Sequence, residues 1–326
     1  MNVKELTVPE RVLKDEALLR RLRKGHHKIA IIQEDLQKRN SGILGEQSIA
    51  YHLKELDDSY LTLHDLRLNN DERFFQLDGL ILHPCFFLNL EVKNMAGSLL
   101  IDSTFNQLIR NNNGREEGFR DPITQTRLQE QQFKKWLQKN NFYENVPIIS
   151  VVVFTNSKCV IKATSPEVNK YVIHQDQLLF KIDELTKRYK QKIVSPQNLL
   201  KLSSQLKVSH QPIQTNILEA YNIQVQDVIL GVQCPFCSSI PMKRAARKWF
   251  CSNCNQFDKQ AHVQAIEDYL LLLKPTITNR ECREFLLLDS VDVSKRLLKS
   301  SSQLSYAGVK KGTFYFLTKD EKSLRI

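Results

Sequence analysis

Along the chain the apolar positions change their spacing several times, and each change marks an element. Ile49, Leu53 and Leu56 recur at i, i+4 and i+7, one face of a helix running from Ile43 to Leu56. "SYLTLHDLRL" then alternates as a half-buried strand does, "NNDER" turns, and residues 74–82 and 86–93 predict two further strands joined at His83 and Pro84. Asp121 followed by Pro122 opens a helix through "DPITQTRLQEQQFKKWLQKN", and "VPIISVVVFTN" is the unbroken apolar run of a buried strand. Upstream, residues 1–40 read as a charged helix or helices ending at "RNSG", with Leu18, Leu19, Leu22, Ile29, Ile31 and Ile32 as apolar contacts. Near the other end "HVQAIEDYLLLL" is helical, and Thr278 and Glu281 have capping-box spacing ahead of a helix from Arg280 through Leu288. Asp289-Ser290 then caps "VDVSKRLLKSS", and "YAGVKKGTFYFL" predicts two short strands about Lys310-Lys311-Gly312. The order helix, strand, hairpin, helix, strand describes an α/β chain of the mixed α+β kind, a mixed sheet flanked by helices.

Composition changes this picture in three respects. A length of 326 residues with 41% hydrophobic and 25% charged residues fits two or three globular domains. No apolar run approaches about 18 residues and the N-terminus has no secretory pattern, so a cytoplasmic protein that does not span a membrane is expected. The net charge of +11 is uneven: residues 41–155 hold 11 Lys and Arg against 15 Asp and Glu, whereas residues 234–260 hold 5 against 1. Basic flanks around an acidic block suit a polyanion such as nucleic acid, the bland alternative being a solvated surface with ordinary lysine excess.

The acidic block poses the sharpest question, because Asp78, Glu91 and Lys93 sit inside strand-like apolar sequence where an uncompensated charge is expensive. In a tight hairpin of residues 76–82 and 87–93, cross-strand partners sum to 169, which sets Asp78 opposite Glu91, with Lys93 two residues on along the same face. Two facing carboxylates need a proton or a cation between them, and oxygen ligands suit a divalent metal. Glu46, three residues before Ile49, lies on the apolar stripe of its helix. It either joins the acids or is placed by the helix dipole near the first turn.

These residues resemble a known family. "GILGEQSIAYHL", "QLDGLILHP", "LNLEVKNMAG" and "DPITQTRLQ" are similar to the nuclease-related domain (NERD), a branch of the PD-(D/E)XK restriction-endonuclease-like superfamily, over roughly residues 42–155. The resemblance implies a restriction-endonuclease-like core with Asp78 and Glu91 as Mg²⁺ (or Mn²⁺) ligands and Glu46 as the upstream helical acid. It implies Lys93 as the residue that positions or activates the attacking water. Gln125 either orients that lysine or a phosphate, or only caps and packs; Gln76 is the less defined partner of Asp78.

A second strong pattern is "CPFCSSIPMKRAARKWFCSNC", in which Cys234, Cys237, Cys251 and Cys254 have the spacing of a four-thiolate structural Zn²⁺ ribbon. Lys243, Arg244, Arg247 and Lys248 lie beside Trp249 and Phe250, a mixture suited to phosphate contact and stacking, although for the two rings themselves packing of the ribbon's own small core is the favoured reading. Cys85, Cys159 and Cys282 are isolated and read as small buried apolar residues. The tail resembles a winged helix-turn-helix in which Lys295 and Lys299 enter a groove and the hairpin with Lys310 and Lys311 touches backbone; the alternative is a docking domain for a protein partner or a second copy.

The expected organisation is a helical extension (1–40), a nuclease-like core (41–160) and a connecting region (161–230). A zinc ribbon (231–260) and a winged-helix-like domain (261–326) follow. The expected activity is Mg²⁺-dependent DNA cleavage, with non-catalytic nucleic-acid binding, or RNA as substrate, as alternatives.

Overall fold

The computed structural model of the protein describes residues 1–71, 73–142 and 145–318, without the side chain of Lys311. In chain order it contains β1 (Asn2–Lys4), α1 (Glu10–Arg21), α2 (Ile29–His52), β2 (Leu61–Asn70), β3 (Arg73–His83) and β4 (Phe86–Lys93). Next come β5 (Gly97–Asp102), β6 (Gln107–Asn112), β7 (Arg115–Arg120), α3 (Pro122–Lys139), β8 (Ile148–Phe154), β9 (Cys159–Ala163) and β10 (Val172–His174). Helices α4 (Leu178–Arg188), α5 (Pro196–Ser209) and α6 (Ile217–Tyr221) lead to β11 (Lys243–Ala245), β12 (Lys248–Phe250) and β13 (Phe257–Asp258). The remaining elements are α7 (His262–Leu272), β14 (Ile277–Thr278), α8 (Asn279–Leu286), α9 (Val291–Ser300), β15 (Leu304–Ala307) and β16 (Phe314–Leu317). Two compact units result, one of Met1–Thr7 with Asn40–Pro212, the other of Val8–Arg39 with the chain from Ile213 onward.

The first unit is built on a six-stranded mixed sheet in the order β1-β2-β3-β4-β8-β10, accompanied by a four-stranded sheet β7-β6-β5-β9. The meander β2-β3-β4 is antiparallel, and β8 returns parallel to β4 after the crossover through α3. Strand β8 reads as a continuous apolar run because both of its faces are covered: Val151 and Val153 belong to one buried cluster and Val152 and Phe154 to another. Phe87, Phe133 and Trp136 fill the layer between the sheet and α3, while Ile49, Leu88, Leu90, Leu178 and Ile182 fill the layer under α2 and α4.

Two features depart from the periodicity. Helix α2 runs unbroken through "RNSG", where a stop was expected. The glycine of that stretch, Gly42, has open space around it, and three residues on, at Gly45, a Cβ would stand 2.9 Å from both Asn94 Cβ and Thr155 Oγ1, so the second glycine serves a close approach of helix to strand ends. The segment 97–120, to which no element was assigned, forms β5 to β7. Strand β7 is exposed on nearly all positions, so no burial imposes an alternation on it.

The second unit has a single core that joins the ribbon residues Cys234, Trp249 and Cys251 with α1, α7, α8 and α9. Three helices, α7, α8 and α9, stand with the sheet β14-β16-β15. The capping box at Thr278 and Glu281 and the Ser290 cap of α9 form as their spacing predicts. Asp268, fully buried on α7, accepts from Arg21 Nε at 2.7 Å and from Arg20 Nη2 at 2.8 Å, while Arg21 Nη1 donates to the Gly231 carbonyl at 2.6 Å. Asp268→Ala strands the buried Arg21 guanidinium, and breaking such a pair typically costs about 3 kcal/mol. The unfolding transition of this unit in a urea titration is expected to move down accordingly, and an unchanged midpoint would show the pair to be dispensable. No helix among the described residues is long and apolar enough to cross a membrane, and Cys85, Cys159 and Cys282 are each buried.

Candidate active site and thiolate centre

The β3–β4 register has the expected sum, from His83↔Phe86 to Gly79↔Leu90. The ladder then stops one pair short of Asp78 and Glu91. In place of a strand carbonyl, Asp78 Oδ2 accepts the Val92 N–H at 2.9 Å. The reason is a kink shared by two strands. Leu61 and Leu63, then Leu66 and Leu68, all enter one core cluster, as do Phe75 and Leu77, then Leu80 and Leu82. Alternation therefore slips by one residue at His64–Asp65 and at Asp78–Gly79, and Asp65 adopts φ 46°. The facing carboxylates expected from a regular hairpin thus become two carboxylates turned differently. Glu91 is directed to α3, and Asp78 lies against the backbone where the strands part.

Glu91 is 2% exposed and takes three donors: Lys93 Nζ at 2.5 Å and Gln125 Nε2 at 2.7 Å on Oε1, and Gln129 Nε2 at 2.7 Å on Oε2. Gln125 Oε1 in turn accepts from Lys93 Nζ at 3.2 Å. Helix α3 aims both glutamines because they are four residues apart on one face, and because Asp121 anchors its first turn by accepting the Ile123 and Thr124 N–H groups. Buried Asn89 donates to Gln129 Oε1 at 3.1 Å and so orients that amide. Gln125 thus touches both the lysine and the carboxylate. Sequence reading missed Gln129 and Asn89; the signal was a second glutamine one helical turn after Gln125.

Asp65 was missed as well. Its carboxylate accepts from Gln76 Nε2 at 2.8 Å, so Gln76 serves this acid rather than Asp78. Lys4 of β1 donates to the backbone carbonyls of His64 and Asp65 at 2.7 and 2.9 Å. Glu46, half-buried on α2, has its pKa raised to about 8 by burial and then by Asp78, Asp65 and Glu91. Asp78 is raised to about 7 by burial and by Glu91. Asp65 is raised by burial, against the opposing pull of Lys4 and Gln76. Four carboxylates from α2, β2, β3 and β4 thus share one electrostatic neighbourhood. Their oxygens are nevertheless not drawn together: among the described residues, only the four cysteines form a group of three or more Cys, His, Asp or Glu with all ligand atoms within 4.8 Å. As a donor set they are hard oxygens suited to Mg²⁺ or Mn²⁺, and Glu91 Oε2, with one donor, keeps a free lone pair.

The cysteines fit zinc directly. Cys234 and Cys254 Sγ are 3.6 Å apart and Cys237 and Cys251 Sγ 3.5 Å, near the roughly 3.8 Å edge of a tetrahedron with zinc–sulfur bonds of about 2.3 Å. Trp249 is 1% exposed and donates its indole N–H to His262, so this ring packs the ribbon core and offers no stacking face; Phe250 lies against Phe257. Lys243, Arg247 and Lys248 are exposed and Arg244 is half-buried, with Lys295, Lys299 and Lys310 also exposed. The side chain of Lys311 lies outside the described residues.

Residues 41–155, a little over a third of the chain, match the family model of the nuclease-related domain. No curated protein and no solved structure matches the chain.

Proposed function

We propose that this nuclease-related domain is a metal-dependent DNA phosphodiesterase with a PD-(D/E)XK site, in which Asp78, Glu91 and Glu46 hold Mg²⁺ or Mn²⁺ and Lys93 serves the attacking water. One observation carries the reading: Glu46 arrives from a helix beside the acids of three adjacent strands, and a folded chain has no structural use for so much mutual repulsion at one place. The ion would acidify a bound water and neutralise charge on the phosphoryl oxygens. Glu91 and Gln125 hold the Lys93 ammonium between them, which presents a fixed positive charge where negative charge grows in the transition state. Asn89 and Gln129 keep the Glu91 carboxylate from rotating, and Gln76 does the same for Asp65, an additional acid at the rim of the site.

The same reading gives the second unit a supporting role. Cys234, Cys237, Cys251 and Cys254 hold a structural Zn²⁺. Helices α8 and α9 with β15 and β16 act as a winged helix-turn-helix, with Lys295 and Lys299 on the inserted helix and Lys310 and Lys311 on the wing. Lys243, Arg244, Arg247 and Lys248 of the ribbon add phosphate contacts.

The test is incubation of the protein with labelled duplex DNA, single strands and RNA, with and without Mg²⁺. Duplex DNA is expected to be cut only with the ion. Asp78→Ala is expected to lower the rate by about 10³-fold or more, the equivalent of a few kcal/mol of lost charge stabilisation, while leaving the protein folded by circular dichroism. A fully active Asp78→Ala protein refutes the site. Binding without cleavage assigns the chain to non-catalytic recognition, and preference for RNA replaces the substrate.

A further inference from the structure

We propose that ribbon strand β11 and helix α9 form one composite grip on duplex DNA, with Arg244 in the groove between them and Arg296 further along α9 holding the same stretch of phosphodiester backbone. The proposal rests on the nucleic-acid reading above and specifies which surface of the second unit does the holding.

A groove of about 400 Å³ has Lys243 and Arg244 of β11 on one wall and Asp289, Ser290 and Val293, at the start of α9, on the other. Arg244 pairs across the ribbon with Trp249, and its guanidinium lies 5.0 Å from the centre of that indole. Because the indole is itself buried and held by His262, the guanidinium rests on a fixed platform, a cation–π arrangement that restrains its direction. Its Nη1 is buried without a hydrogen-bond partner. Helix α9 buries Ser294, Leu297 and Leu298 and leaves Lys295, Arg296 and Lys299 exposed. Lys295 and Lys299 are one turn, about 6 Å, apart along it.

Val293 of α9 lines the groove together with Arg244, and Arg296 stands three residues further along that helix on the same side, which brings the two guanidinium groups to one neighbourhood; in keeping with this, Arg296 adds to burial in lowering the Arg244 pKa. Three other arginines of this unit are answered by carboxylates, Arg20 and Arg21 by Asp268 and Arg280 by Glu284. Among the described residues no carboxylate pairs with Arg244 or Arg296, and Asp289 lines the groove without bonding to either. Two adjacent guanidinium groups without an internal counter-ion are complementary to an external one, and a phosphodiester oxygen pair can accept from both. Duplex DNA is the favoured form of that anion because its major groove, about 12 Å wide, admits a helix carrying its charges on one face, whereas the deep major groove of A-form RNA does not.

The test uses the full chain carrying Asp78→Ala, without added divalent ion, and fluorescence anisotropy with a short labelled duplex at several salt concentrations. Arg244→Ala and Arg296→Ala are each expected to weaken binding about ten-fold and to reduce the slope of log affinity against log salt by about 0.9. The double variant is expected to lose less than the product of the two single losses, since both groups serve one stretch of backbone. Zinc content and thermal unfolding serve as the fold control. If an alanine variant loses zinc, Arg244→Lys and Arg296→Lys decide, with weaker binding at an unchanged salt slope. Wild-type affinity and slope in the variants, with the parent still binding duplex, overturn the composite grip and leave the nucleic-acid reading standing. Equal losses on duplex RNA overturn the commitment to DNA. A parent protein that binds no nucleic acid overturns both readings.

Discussion

Treatment of the protein with a strong zinc chelator is expected to unfold the second unit, with Trp249 emission moving to the red and one zinc released per chain. The ribbon strands are three, three and two residues long and bury little of their own. Four thiolates on one ion are therefore the main source of order there, and a structural zinc of this type is worth about 10–16 kcal/mol against a total domain stability of about 5–15 kcal/mol. The loss does not stay local. Cys234, Cys251 and Trp249 share one buried cluster with Ala265 and Ile266 of α7 and Phe285 of α8, so a collapsed ribbon opens that core to water. Cys251→Ser is expected to reproduce the effect without chelator. Circular dichroism and tryptophan emission decide the matter: a chelated protein with the same spectra and the same unfolding curve would mean that the four sulfurs are close for reasons unrelated to metal.

In the absence of divalent cations the first unit is expected to lose stability as pH rises from about 4.5 through about 8, and Mg²⁺ or Mn²⁺ is expected to restore it at the alkaline end. The sign follows from Glu46, whose pKa rises from 4.5 to about 8 on folding, and Asp78, which rises from 3.8 to about 7. The folded protein binds these protons more tightly than the unfolded chain does. It is favoured while both groups are protonated, and that advantage disappears as the pH passes through the folded-state values. Each pH unit of displacement corresponds to about 1.4 kcal/mol, so Glu46 alone accounts for a loss on the order of 5 kcal/mol. In a domain of this size each kcal/mol moves the melting temperature by about 2–4 °C. Glu46→Gln is expected to flatten the pH profile and raise the metal-free melting temperature at the alkaline end. It is also expected to reduce the stabilisation that Mg²⁺ brings. A profile flat with pH in the parent protein would show that burial and the neighbouring acids do not raise the pKa values of Glu46 and Asp78.

The hairpin that carries Asp78 and Glu91 was readable because strand residues with one buried face must alternate, and the cross-strand sum then follows from turn length. The four cysteines were readable because their chemistry is local, two short turns each bringing a pair of thiols together. Within segment 97–120 only β7 is exposed and without an obligatory pattern; β5 and β6 bury Leu99, Ile101 and Leu108, an alternation too short to stand out from the loops around it. The apparent stop at "RNSG" misled because Gly42 sits in open space on a continuing helix, where a glycine is tolerated.

What the amino-acid order supplied, then, is the candidates: Glu46, Asp78, Glu91, Lys93 and Gln125 by their resemblance to a family pattern, and four thiols with the spacing of a metal site. The tertiary structure decided how they are arranged. It ended the ladder before Asp78 and Glu91, turned Glu91 onto Gln125 and Gln129, and brought Asp65 beside Glu46 through a kink at φ 46°. Side-chain direction at a strand kink depends on how the neighbouring strand and helix pack, and no stretch of local sequence contains that information.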